Sequence, residues 1–354
     1  MAERILMKGN EAIAEAAIKA GCRHYFGYPI TPQTEIAAYM AKKMPKIGGV
    51  FLQAESEVAS INMVYGAAAA GMRVMTSSSS PGISLKAEGL SYIAGSDVPA
   101  LVVNVQRGGP GLGGIQPSQS DYFQATKGLA HGDFNLVVLA PSSIQECVDL
   151  TMEAFDIADQ YRMPVMLMGD GMLGQMMEPV SFGEYKGRNL PQKTWATNGT
   201  GLKRKHNVIN SLYIDPDTLE KTVIDRDKMY NEIKKTEVKY ETYNIEDADI
   251  IMVAYGTIGR IVKNAINKAR EEGIKVGLIR PITLWPFPEE IINKTADTAK
   301  AFISVEMSTG QMVEDVKLAV NGKAKVDFYG RTGGVIPLPD EILAKIKEVW
   351  GGIK

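Results

Sequence analysis

Three short, continuous apolar runs constrain this chain more than any other feature: residues 100–106 (ALVVNVQ), 134–140 (FNLVVLA) and 165–169 (VMLMG). Each is too short for a core helix and none alternates, so each reads as a strand buried on both faces. Such strands belong to a parallel sheet covered by helices. Helical patterns fill the intervals. Asn10 is predicted to cap a helix running to Lys19 and stopped by Gly21, and residues 24–28 form a strand that enters the loop Pro29-Ile30-Thr31-Pro32. A helix over 33–44 follows, and Ser142 with Gln145 predicts a capping box for a helix running to Gln160. The fold class is α/β, with a doubly wound, mostly parallel sheet.

Residues 49–82 read GVFLQAESEVASINMVYGAAAAGMRVMTSSSSPG: an apolar strand, two glutamates at a helix start, a helix of very small residues, a second strand and a Ser/Gly/Pro loop. This order puts a carboxylate, Glu57, at the carboxyl end of a strand, where open α/β sheets place ligands. Glu55 and Glu57 also complement the helix dipole, which explains them without any chemistry. The small residues Ala59 and Gly66 to Gly71 make a thin helix that another backbone can approach, and it reads as a subunit contact.

The chain has 354 residues, of which 45% are hydrophobic and 23% charged, with a formal net charge of −2, so no electrostatic footprint for nucleic acid exists. No apolar run reaches the ~20 residues of a membrane span and the amino terminus has no secretory h-region. A cytoplasmic protein is expected. Only Cys22 and Cys147, with His24, His131 and His206, are present as soft or imidazole ligands. Iron–sulfur clusters and structural zinc need closely spaced sets, so this chain holds neither unaided and no metal site is expected on it.

Three regions are expected. Residues 1–180 form the first α/β domain, 181–246 a linker or arm with a charged helical stretch over 218–241, and 247–354 a second, smaller α/β domain. In the last, strands over 249–254, 275–280 and 301–306 alternate with helices ending at Glu272 and spanning 311–320, and residues 281–288 form a turn. Gly256-Thr257-Ile258-Gly259 opens a helix after a strand but lacks the dinucleotide fingerprint. Thr31 sits between Ile30 and Pro32, where a local side-chain-to-backbone bond is its ordinary use. Arg107 ends a buried strand, where its fork suits either an ion pair or a carboxylate ligand. The glycine-rich stretch 108–114 after it lacks the GK[ST] ending of a phosphate loop and reads as a flexible or tightly turned cover.

The E-x-x-A helix, following strand and TS…PG loop resemble the pyrimidine-binding domain of thiamine diphosphate enzymes. YPITP at 28–32, VQRGGPGLGGIQPSQSDYFQATKG at 105–128 and DADIIMVAYGTIGR…GIKVGLIRPITLWPFP over 247–288 are similar to the alpha subunit of 2-oxoacid:ferredoxin oxidoreductases. The 108–121 loop is most like the ketoisovalerate type, and 2-oxoglutarate members are closely similar. The resemblance implies a thiamine-diphosphate-binding fold over 1–180 and a transketolase C-terminal-like domain over 247–354. It makes Glu57 the carboxyl partner of N1′ of the cofactor's aminopyrimidine, and Thr31 and Arg107 ligands of the substrate's carboxylate or carbonyl. It puts Tyr28, Pro29, Ile30 and Ser80 beside the cofactor.

Gly169-Asp170-Gly171 followed by Asn198 imitates the GDG…N signature that holds magnesium and diphosphate in such enzymes. Glycines and prolines between them leave no room for the required helix. The resemblance therefore implies a beta subunit that supplies the diphosphate half of the site with Mg2+, together with a gamma subunit and a ferredoxin-like delta subunit that bring the iron–sulfur clusters. The implied activity is oxidative decarboxylation of a 2-oxoacid, with branched-chain acids such as 3-methyl-2-oxobutanoate favoured over 2-oxoglutarate and pyruvate, to acyl-CoA with reduction of ferredoxin. The assembly implied is a dimerised heteromer with CoA as co-substrate. Rival readings are a non-redox decarboxylase or acetolactate-type split subunit and a non-catalytic scaffold.

Overall fold

The computed structural model describes residues 4–353. The chain begins β1 (Arg4–Lys8), α1 (Gly9–Lys19), β2 (His24–Gly27), α2 (Thr34–Lys43), β3 (Val50–Gln53), α3 (Glu57–Ala69), β4 (Val74–Ser78), α4 (Ser80–Gly95) and β5 (Ala100–Gln106). Then come α5 (Tyr122–Thr126), β6 (Val137–Leu139), α6 (Ile144–Tyr161), β7 (Pro164–Asp170), α7 (Gly171–Gln175) and β8 (Met177–Ser181). An irregular arm leads to α8 (Pro216–Thr236), followed by β9 (Tyr240–Tyr243), β10 (Ile250–Val253), α9 (Gly256–Glu271), β11 (Val276–Pro281) and β12 (Thr283–Trp285). The chain closes with α10 (Glu289–Thr295), β13 (Ala301–Glu306), α11 (Met312–Val320), β14 (Lys325–Gly330) and α12 (Pro339–Ile353).

Strands β4, β5, β6 and β7 are buried at every residue, as continuous apolar runs require. They lie in a seven-stranded sheet of order β12-β6-β7-β5-β4-β2-β3, parallel except for β12. From β2 the chain passes to β3 on one side and then returns to β4 on the other. The carboxyl ends of β2 and β4 therefore form a topological switch point, the crevice where such sheets bind ligands. A five-stranded sheet of order β14-β13-β10-β11-β9 is parallel except for β9. One hydrophobic core serves both sheets, with Val102, Val138 and Met168 from the first packed in the same cluster as Ile251, Ile279 and Phe302 from the second.

Polar contacts also join the two sheets. Gln119, in the loop after β5, donates to the Tyr255 carbonyl at 3.0 Å and accepts from Met307 N at 3.0 Å. Arg280 of β11 pairs with Glu146 of α6 at 2.6 Å and with Glu241 of β9 at 2.7 Å. The arm between β8 and α8 lies on the first unit: Thr197 N donates to the Ala69 carbonyl at 2.9 Å, and Arg162 stacks over Trp195. Among the described residues, no helix is long and apolar enough to cross a membrane.

Four local expectations differ from the structure. Asn10 does not cap α1. The helix starts at Gly9 with Lys8 as its N-cap, and the Asn10 amide donates instead to the Pro32 carbonyl and to Glu35, both at 2.8 Å, so its side chain serves the loop after β2 rather than its own helix end. The cap of α6 is Ser143, not Ser142; its side chain accepts from Glu146 N, and the Glu146 carboxylate reaches back to Ser142 N at 2.8 Å. The charged helix ends at Thr236, and Tyr240–Tyr243 is a strand completing the second sheet. The 281–288 turn contains β12, which pairs with β6 and carries the carboxy-terminal half onto the edge of the first sheet.

Candidate functional site

Glu57 opens α3. Ser56 caps the helix by accepting from Ala59 N, which leaves Glu57 at the first helical position directly after β3. Its residue is only 6% exposed, whereas Glu55, two residues earlier, is exposed. No hydrogen-bond donor among the described residues reaches the Glu57 carboxylate. Beside it lies Gly82, where an added Cβ would stand 2.8 Å from Glu57 Oε1 and 2.1 Å from Ser78 Oγ. The hydroxyls of Thr76, Ser78 and Ser79 are buried without partners. A buried carboxylate, unsatisfied hydroxyls and an absent side chain thus meet at the switch point.

The loop after β2 forms the second wall. Gln33 is fully buried, donates to the Tyr28 carbonyl at 3.3 Å and accepts from Ser77 Oγ at 2.5 Å, and that hydroxyl also meets Tyr25 at 2.7 Å. This network ties the Tyr28-Pro29-Ile30-Thr31 loop to β4. Thr31 itself is exposed, and its hydroxyl has no partner among the described residues.

Arg107, the residue after β5, is 6% exposed. Its guanidinium donates to the Thr31 carbonyl at 2.9 Å and to the Leu112 carbonyl at 3.0 Å, and its buried Nε has no partner. No carboxylate among the described residues pairs with it. A buried cation held only by carbonyls retains the capacity to bind an anion. The glycine stretch is tightly turned: Gly108 N bonds to the Gln116 carbonyl at 3.0 Å, Gly114 N to the Gly108 carbonyl at 2.8 Å, and Arg107 bridges to Pro117. At Gly113, with φ of 58°, an added Cβ would lie 1.8 Å from the Gly108 oxygen, so only glycine fits.

Ser80 has less freedom. Its hydroxyl donates to Asp121 Oδ2 at 2.6 Å and accepts from Arg107 N at 3.0 Å, so it fixes the Arg107 backbone. Asn104 of β5 completes this cluster by donating to Asp121 at 2.9 Å, and burial raises the Asp121 carboxyl above its usual range. Asn104, Gln33, Asp121 and the fully buried Lys86 of α4 escape sequence reasoning. A signal exists for two of them: Asn104 is a polar interruption in an apolar strand, and Lys86 lies three residues from Ile83 and four from Leu90 on the buried stripe of α4.

The remaining candidates are otherwise engaged. Asp170 caps α7 through Met172 N and Leu173 N and accepts from Thr257 Oγ1 at 2.6 Å, which also commits the GTIG loop to the contact between the two sheets. Burial pushes the Cys22 thiol up to about 12, so it is an inert core group. No three His, Cys, Asp or Glu side chains gather as a metal site among the described residues. A separate concavity of about 1200 Å3 between α8, α11 and the 285–288 turn is lined by exposed lysines and holds none of these groups.

The description "Pyruvate flavodoxin/ferredoxin oxidoreductase, thiamine diP-bdg" matches residues 15–244, and "Pyruvate:ferredoxin oxidoreductase core domain II" matches 248–342. A ketoisovalerate oxidoreductase subunit VorB from Methanothermobacter marburgensis is 50% identical over 98% of each chain. A 2-oxoglutarate synthase subunit KorA from the same organism is 39% identical over 98% of this chain and 99% of its own. A solved 2-oxoglutarate:ferredoxin oxidoreductase from Magnetococcus marinus, with 2-oxoglutarate, coenzyme A and succinyl-CoA bound, matches with a TM-score of 0.87 at 30% identity. That match covers 98% of this chain and 65% of the other. A split-gene transketolase shares the fold at a TM-score of 0.62 and 13% identity.

Proposed function

The chain belongs to the 2-oxoacid:ferredoxin oxidoreductase family as an alpha subunit, and from that premise we propose that it forms the pyrimidine half of a shared thiamine diphosphate site and binds the 2-oxoacid through Arg107 and Thr31. The observation that carries this reading is the pairing, in one crevice, of a buried carboxylate without a donor and a buried guanidinium without a carboxylate. Thiamine diphosphate would supply the nucleophilic carbon chemistry of the decarboxylation, and this chain's residues would hold its pyrimidine and the substrate. Glu57 holds the proton shared between its carboxyl and the pyrimidine N1′, and the surrounding apolar helix keeps that bond dry. The space over Gly82 admits the ring where a Cβ would not. Tyr28, Pro29 and Ile30 line it from the facing loop, and Ser80 acts from behind through the Arg107 backbone.

Arg107 clamps the substrate carboxylate, and the Thr31 hydroxyl donates to the adjacent oxygen. The tight 108–116 loop shields the reacting atoms from water. A beta subunit holds the diphosphate with Mg2+, and gamma and ferredoxin-like delta subunits carry the clusters that pass electrons to ferredoxin in a dimerised cytoplasmic complex. Exposed Val50 and Leu52 on the free edge strand β3, with Val58 and Leu85, offer the apolar surface against which a partner subunit closes the site. Residues 1–180 are the pyrimidine-binding unit, 181–246 the arm and 247–354 the transketolase C-terminal-like unit.

The identity to the VorB subunit favours a branched-chain 2-oxoacid such as 3-methyl-2-oxobutanoate. Turnover of a panel of 2-oxoacids by the full complex, read as CoA-dependent viologen reduction, tests this. The highest kcat/KM is expected for 3-methyl-2-oxobutanoate; preference for 2-oxoglutarate or pyruvate overturns the substrate, and aldehyde or acetolactate formation without an electron acceptor overturns the reaction class.

A further inference from the structure

Lysine is almost never fully buried unless its ammonium is compensated. Lys86 is 0% exposed, yet no carboxylate among the described residues lies within ion-pair distance of it. Its Nζ donates to Ser60 Oγ and, at 3.4 Å, to the backbone carbonyl of Glu57. Ser60 Oγ in turn donates to that same carbonyl at 2.9 Å. The ammonium therefore clasps the first turn of α3, the turn that carries Glu57. The charge acting on it is that of Glu57 itself, which opposes the burial that lowers Lys86 to about 8.

The surroundings offer no other compensation. Strand β4 brings only hydroxyls to this crevice; on β2, Tyr25 is bonded to Ser77, and His24 lies at the strand's amino end, away from it. On α4, Glu88 is exposed and accepts from Tyr92. Beyond β5, Arg107 is held by two carbonyls and Asp121 by Ser80 and Asn104.

We propose that Lys86 is a positioning residue for Glu57: its ammonium fixes the carbonyl of the α3 first turn and supplies the positive charge against which the Glu57 carboxylate is carried in a dry crevice. This rests on the reading of Glu57 as the carboxyl that faces the cofactor's ring. A carboxylate that must hold or pass a proton there needs a fixed position and a compensated charge, and one buried lysine provides both.

The sign of the pH dependence follows. The folded chain binds the Lys86 proton less tightly than the unfolded chain, whose lysine titrates near 10.5. Burial of the ammonium thus weakens the fold at neutral pH, and that penalty is relieved as pH rises from about 8 towards 10.5. Removing the Glu57 charge deepens the penalty, so relief begins at lower pH.

The test is a double-mutant cycle in the assembled complex, comparing wild type, Lys86→Met, Glu57→Gln and the double variant by thermal unfolding across pH and by kcat. Lys86→Met removes a buried ammonium whose penalty Glu57 only partly offsets, so the melting-temperature change it causes is expected to be clearly more positive in the Glu57→Gln background than beside Glu57, as coupled neighbours require. The Lys86-dependent rise in melting temperature is expected to start at lower pH when Glu57 is Gln. In the Glu57 background, Lys86→Met is expected to lower kcat about 10-fold or more with little change in KM, as loss of a positioned proton-transfer group does. Assembly of Lys86→Met only in the Glu57→Gln background also supports the coupling. Equal melting-temperature changes in both backgrounds, an unshifted pH onset, or failure to assemble in both overturns it. Full activity of Glu57→Gln alone instead sinks the reading of Glu57, so the two failures are distinguishable.

Discussion

At the residue scale the site rests on charges placed without ordinary partners. Arg107 keeps two carbonyl bonds and an unpaired Nε, so a substrate carboxylate would meet a pre-oriented fork. Arg107→Lys keeps the charge and loses the fork, and KM for the 2-oxoacid is expected to rise roughly 10- to 100-fold, the size of one or two charge-assisted bonds, with the melting temperature little changed. An unchanged KM in steady-state assays would remove Arg107 from substrate binding. Glu57, Thr31 and Arg107 stood out as a carboxylate, a hydroxyl and a guanidinium after apolar runs, each with an ordinary structural explanation, and their roles came from the resemblance; the structure brings all three to the carboxyl ends of β3, β2 and β5. Asp121 was not legible, because an isolated charge in a loop reads as solvated; Lys86 was marked only by its place on the apolar stripe of α4, a signal easily passed over for a charged residue. Asn10 misled for the converse reason: a good capping residue was used instead to satisfy the Pro32 carbonyl and Glu35 across space.

At the element scale, the first turns of α3 and α4 pack so closely that a single methyl matters. Gly82→Ala would press on Ser78 Oγ and Glu57 Oε1, and overpacking of this kind costs about 1–3 kcal/mol. Thiamine diphosphate affinity is expected to fall further than stability does, measured by cofactor titration beside thermal unfolding; equal affinity to wild type would show that Gly82 does not border the ring. The arm is tethered by Arg188, which donates to Glu237 at 2.6 Å and 2.7 Å. Burial raises the Glu237 carboxyl, but the Arg188 and Tyr161 hydrogen bonds outweigh it and hold the group below its usual value. Its stabilising contribution is therefore present at neutral pH and lost as pH falls through the carboxylate range. Arg188→Ala is expected to lower the melting temperature at pH 7, with the deficit shrinking as pH falls below the ordinary glutamate value towards the lower folded one, which thermal scans stepped into acid would check. Strands β5 and β13 were readable to the residue because both faces are buried. Strands β9, β12 and β14 were not: β9 and β14 are half-exposed edge strands with little apolar pattern, β12 is buried but only three residues long, and β9 and β12 acquire their partners from distant segments.

At the scale of the whole molecule, the two sheets share a core cluster and several polar clasps, of which Arg280 is the buried ionic one. Arg280→Met leaves Glu146 without a cation and Glu241 with Lys263 alone, and a lower melting temperature is expected. A second calorimetric transition would mean that the halves are independent. The doubly wound class was legible from the order of runs, but the connection between units was not, because no local pattern marks a strand that crosses to another sheet. On the proposed reading the chain does not complete its chemistry alone: the crevice presents a carboxylate, hydroxyls and a guanidinium, and two cysteines are too few for an iron–sulfur cluster. The central claim is that Glu57 faces the reacting cofactor in that assembly. The most direct measurement is CoA-dependent viologen reduction by the reconstituted complex carrying Glu57→Gln, with assembly verified by size. If Glu57 faces the cofactor, kcat falls roughly 100-fold or more below wild type, as for loss of a positioned proton-transfer group; turnover at the wild-type rate would show that it does not.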